Sequence, residues 1–70
     1  MSWKINVAIN ALEKKILITE CRSFKYKGVR LSRLDANTII FYLETYLAQG
    51  SFSGLLEPCG GVKTVLDQVI

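Results

Sequence analysis

The chain has no histidine among its 70 residues. That removes the imidazole base, the side chain that titrates near neutrality, and any zinc site with histidine ligands. Cysteine is scarce as well. Cys21 and Cys59 are too few for an all-cysteine zinc site within one chain. They allow one bridge, but the pattern predicts two buried thiols in a reducing compartment. No apolar run reaches the roughly 18 residues of a membrane span. The charged start, apolar centre and small-residue cleavage site of a signal peptide are also missing. The expectation is therefore a chain made and used in the cytoplasm, with no membrane partner.

Catalytic constellations are missing too. The six acidic residues, Glu13, Glu20, Asp35, Glu44, Glu57 and Asp67, are spread along the chain. None is paired at a spacing that suggests a shared proton or a bound metal. Cys59 precedes Gly60-Gly61, but no histidine is present to activate it. No P-loop, dinucleotide fingerprint or zinc-knuckle spacing occurs. Neither an enzyme nor a cofactor or metal is expected.

What is present is apolar and basic. Half of the residues are hydrophobic and the net charge is +3. A chain near this size buries only about 60% of its unfolded surface. So much apolar material is therefore expected to finish its burial against other subunits or a partner. The plainer reading is an ordinary apolar mini-domain.

Ile5, Ala8, Ile9, Leu12 and Ile16 follow the spacing of a helix face. Trp3, Ile5, Val7 and Ile9 also alternate as a strand would, but Ala11-Leu12-Glu13-Lys14-Lys15 is strongly helix-forming. A helix is expected over 3–17, with Ser2 able to cap it. Ile16-Leu17-Ile18-Thr19 is rich in β-branched residues, so a strand start competes with the helix end there. A hairpin follows around Lys27-Gly28, pairing Tyr26 with Val29, Lys25 with Arg30 and Phe24 with Leu31. Phe24, Tyr26, Val29 and Leu31 then share the face toward the helices, and Lys25 and Arg30 share the other. Gly28 supplies positive φ in either a type I′ or a type II turn. Ser32-Arg33-Leu34-Asp35 fits a capping box, although Asp35 itself is an alternative N-cap. The second helix carries the stripe Ala36, Ile39, Ile40, Leu43 and Leu47 and stops at Gly50.

The expected organisation is a helix–hairpin–helix module over 1–50 and a tail over 51–70, a small α+β fold. Residues 51–61 read as a loop. Val62, Val65, Leu66 and Val69 allow a short helix, one that either folds in the free chain or orders only in an assembly.

Two surface signals remain. Arg22, Lys25, Lys27, Arg30 and Arg33, five of the nine basic residues, sit in or beside the hairpin. Lys25 opposite Arg30 is a like-charge cross-strand pair, which folding does not ask for. It reads as a solvated, aggregation-resistant edge, as a site for an acidic protein surface, or as a nucleic-acid contact. Trp3, Phe41, Tyr42, Tyr46 and Phe52 read as subunit-interface aromatics or as side chains that the tail covers.

Tyr26-Lys27-Gly28, Ser32-x-x-Asp35 and Ile40-Phe41-Tyr42-Leu43-Glu44, in this order, resemble the gpW family of phage head–tail joining proteins. The likeness covers residues from roughly 2 to 49. The segment from Gly28 to the cap is shorter than the family's, and the tail from Ser51 has no counterpart. The resemblance implies a virion structural subunit that assembles as a ring between portal and tail, made in the host cytoplasm. It implies that the aromatics meet neighbouring subunits and that the basic hairpin meets the portal, an adjoining ring or DNA. Two other expectations stand beside it. One is a small DNA-binding regulator using the basic hairpin. The other is a small phage inhibitor that binds a host protein through the same edge.

Overall fold

The apolar spacing at Ile5, Ala8, Ile9 and Leu12 does fold as a helix, α1 (Ser2–Ile18), with those four side chains buried. The computed structural model describes residues 2–18 and 22–70. The side chain of Ser2, expected to cap α1, lies outside the described residues, as do Thr19, Glu20 and Cys21. Ile16 to Ile18 continue the helix rather than start a strand.

The hairpin is β1 (Ser23–Tyr26) and β2 (Val29–Ser32), antiparallel. Its register pairs Tyr26 with Val29, Lys25 with Arg30 and Phe24 with Leu31. Phe24 and Leu31 are buried, and Tyr26 and Val29 pack against the same core. Lys27 and Gly28 both take positive φ, 52° and 80°. Positive φ at both central residues is the type I′ signature, whose twist matches that of the flanking strands. Glycine adopts it freely; lysine does so at a cost of about 1 kcal/mol.

Helix α2 (Arg33–Gln49) begins at a complete capping box. The Asp35 N–H donates to Ser32 Oγ at 3.0 Å, and the Ser32 N–H donates to Asp35 Oδ2 at 3.3 Å. Ser32 is therefore the N-cap and Asp35 the reciprocal partner. At the other end the Gly50 N–H donates to the Tyr46 carbonyl at 2.8 Å. Ala36, Ile39, Ile40 and Leu43 are buried, whereas Leu47 stays 40% exposed.

The last part of the tail forms the short helix that its apolar spacing allows, α3 (Gly60–Val69). Val62, Val65, Leu66 and Val69 are buried in the common core. Gly61 sits close against β2 here. A Cβ there would lie 3.0 Å from Val29 Cγ1, a tight contact, and 3.7 Å from the Arg30 carbonyl oxygen, an ordinary one. A side chain at Gly61 would therefore press on the Val29 side chain. Residues 51–70 thus belong to the same body as 1–50.

The resulting fold is a small α+β module, helix–hairpin–helix with a short third helix. Leu12 of α1, Leu31 of β2, Ile39 and Leu43 of α2 and Val65 of α3 are fully buried at its centre. Among the described residues no polar or charged side chain is buried. The core therefore rests on apolar burial, worth about 1.5–3 kcal/mol per large side chain.

Leu66→Ala tests the docking of α3. A packed helix predicts a loss of about 2–5 kcal/mol in urea denaturation. A change below about 0.5 kcal/mol, typical of an exposed site, would mean that α3 does not contribute to the core.

Candidate functional site

Three surfaces carry the residues singled out by the sequence. The first is the outward face of the hairpin. Lys25 and Arg30 are both exposed and face one another across the strands. Arg30 Nη1 donates to Ser23 Oγ at 3.2 Å, which draws its guanidinium toward the hairpin base. Arg22 and Arg33 are exposed near that base, and Lys27 is exposed at the turn. Among the described residues the ion pair present is Lys63–Asp67 on α3, at 3.0 Å, so none of these five cations meets the carboxylate of another described residue. The Lys27 ammonium lies 5.5 Å from the centroid of the Tyr26 ring, a cation–π contact.

The second surface is the flank of α2. Of the two readings of its aromatics, subunit interface or cover by the tail, Tyr42 takes the second within this chain and is only 8% exposed. Its hydroxyl donates to the Leu56 carbonyl. Phe52 packs on Tyr42 and Tyr46, with ring centroids 5.7 Å and 5.2 Å away. Phe52 and Tyr46 are accordingly half-buried. The physical reason is the chain reversal after α2, which lays Phe52 and Leu55 over the second apolar side of the helix. Of the five aromatics, Phe41 (55% exposed) and Trp3 (63% exposed) remain on the surface.

Phe41 lies on the outer face of α2 with Leu34, which is 74% exposed and seven residues earlier. Thr38 and Thr45 complete a line at heptad-like spacing. Both threonine hydroxyls donate back to carbonyls four residues earlier, Thr38 to Leu34 at 2.9 Å and Thr45 to Phe41 at 2.8 Å. That satisfies their polar groups within the helix. Beside this line, Ile16 and Leu17 of α1 and Asn37 and Ile40 of α2 border an open groove of about 410 Å³. Leu17 is 84% exposed there.

The third surface is a cleft of about 280 Å³ where the start of α1 meets the hairpin turn and the end of α3. Trp3, Lys4, Val7, Tyr26, Lys27 and Gln68 border it, above the buried Ala8 and Val69. Lys4 and Gln68 escaped sequence reasoning because only the tertiary fold brings them to the turn. Burial in this region pushes the Tyr26 phenol above its ordinary value of 10.0.

Cys59 was expected to be buried but is exposed at the start of α3, where it takes the N-cap position without a side-chain hydrogen bond. It precedes the helix on extended backbone and is not among the side chains packed in or against the core. Among the described residues no three metal-ligating side chains converge, and no helix is long and apolar enough to cross a membrane. Comparison with known protein families, with curated proteins and with solved structures returns no match.

Two outcomes follow. Lys25→Glu should replace the like-charge pair by an attractive one and stabilise the fold by about 0.2–1 kcal/mol in urea denaturation. Joint reversal with Arg30→Glu should be nearly neutral; unfolding of the double variant would mean that this face is not solvent-facing. Tyr26 gives a pH test. Its folded pKa is raised, so above about pH 10, the unfolded value, the unfolded chain loses this proton first. Stability should be complete at neutral pH and fall as pH rises through this window. Tyr26→Phe should flatten that part of the fall.

Proposed function

We propose that the chain is a structural protein that acts by assembly, a subunit of a phage head–tail connector forming a ring between portal and tail. The observation that carries this reading is the outer face of α2. Leu34 and Phe41 stand exposed on a helix whose core face is already satisfied, flanked by threonines with internally bonded hydroxyls. A line of this kind suits helix-mediated contact between subunits. The resemblance to the gpW family supplies the particular role. It rests on the order helix, hairpin, capped helix and on the residues at the turn and the cap. On this reading the basic hairpin face meets an acidic rim of the portal or of an adjoining ring, and the finished protein resides in the virion.

Mass spectrometry of purified particles should find the chain in fixed proportion to the portal protein. Negative-stain imaging of portal rings incubated with the chain should show an added ring. Phe41→Asp and Leu34→Asp, both at exposed positions, should keep the melting temperature and abolish that ring. Absence of the chain from particles would overturn the connector role. Ring formation by both variants would remove the α2 face from it.

A second reading has its own observation. Lys25, Lys27 and Arg30 form a cationic ribbon without carboxylate partners among the described residues, the chemistry of a β-ribbon that contacts duplex DNA. A DNA-binding regulator predicts that log K falls by roughly 0.9 per phosphate for each tenfold rise in salt. Duplex binding that is absent or insensitive to salt would exclude it.

A further inference from the structure

The chain's one tryptophan is not used by its core. Trp3 is 63% exposed at the start of α1, and Val7, one turn later, is 57% exposed beside it. A tryptophan buries more apolar surface than any other side chain when a core takes it in. Here the fold leaves it at the edge of a cleft instead. The same cleft holds a second aromatic side chain, Tyr26, two cations, Lys4 and Lys27, and the Gln68 amide. Among the described residues no carboxylate side chain borders it.

Lys27 adds a local reason to read this as a site. It occupies the first central position of the turn at φ 52°, where glycine or asparagine would be unstrained. Its ammonium is held 5.5 Å from the Tyr26 ring centroid, at the border of the cleft. An unfavoured residue at the hairpin turn thus places a charge beside the Tyr26 ring, in the cleft that Trp3 also borders.

We infer that this cleft binds single-stranded nucleic acid, with one base stacked on the Trp3 indole and the adjacent phosphates held by Lys4 and Lys27. The volume of about 280 Å³ is at the small end of ligand sites and suits one flat ring rather than a large molecule. From Lys27 the strand continues along the outer face of the hairpin. Lys25 is two residues away on β1, and Arg30 lies across from it. Aromatic platforms interleaved with lysines are how proteins track a single strand without reading its sequence. A duplex keeps its base faces stacked and offers none to Trp3. An acidic peptide would satisfy the lysines but leave both aromatic faces without a planar partner. The site stands apart from the connector reading and does not depend on it.

Trp3 is its own reporter, since no other tryptophan contributes emission. The full chain is titrated with an oligothymidylate of about 12 nucleotides, a length matched to small single-strand sites. Saturable quenching of Trp3 is expected. The affinity should fall with salt at a log–log slope of roughly −1.4 or steeper, about 0.7 for each of two phosphates. Trp3→Ala should weaken binding of a labelled strand by about tenfold or more, and Trp3→Phe should recover part of it. Lys27→Gln should reduce the salt slope by roughly 0.7. Unchanged far-UV melting of each variant separates lost binding from lost folding. Equal affinity for an abasic strand or a duplex, with Trp3 emission unmoved, would overturn the site and leave phosphate contact on the hairpin alone. Quenching by polyglutamate but not by the oligonucleotide would overturn it in favour of an acidic protein partner. Absence of binding at low salt would also overturn it.

Discussion

The docking of α3 against the hairpin is the constraint on which the rest depends. It brings Gly61 so close to β2 that a Cβ there would meet Val29 Cγ1 at 3.0 Å. Once made, it seats Val65 and Leu66 beneath the hairpin and α2 and completes an apolar core drawn from every helix and both strands. The same contact brings Gln68 and Val69 to the turn and builds one wall of the Trp3 cleft. Without α3, Leu31 and Val29 would lose their cover and the hairpin its backing.

A chain of this length is at the lower limit of what a single apolar core can stabilise. This one approaches that limit by using its last helix and the Phe52 loop as cover, with no disulfide among the described residues. The cover is selective. It closes over Tyr42, Tyr46 and the hairpin underside, and it leaves Trp3, Leu34, Phe41 and Leu17 outside. These side chains are not the remainder of an unfinished interior, because the interior is complete without them. They are exposed apolar side chains carried on α1 and α2.

Much of the fold was legible in the sequence because its strongest signals are local. The capping box at Ser32 and Asp35, the stripe on α2 and the Lys27-Gly28 turn act within a few residues, so spacing alone locates them. The hairpin register followed from the turn, since a two-residue loop allows one pairing. The tail was harder. Its helix was visible in Val62, Val65, Leu66 and Val69, but its destination rests on long-range packing, such as Gly61 against Val29 more than 30 residues away. For the same reason Tyr42 was placed outside: helical spacing puts it off the stripe, and nothing local says that Phe52 will return to cover it. The basic face of the hairpin was readable from alternation. The Trp3 cleft was not, because α1, the turn and α3 meet there only in three dimensions.

Native-state hydrogen exchange of the isolated chain tests the central claim most directly, because it reads protection residue by residue in the core of each helix. If α3 completes the core within one chain, the amides of Val65, Leu66 and Val69 should exchange as slowly as those of Ile39 and Leu43 and open with the same global free energy. Fast exchange throughout α3, with α2 still protected, would contradict the account and return the tail to a segment that folds only on a partner.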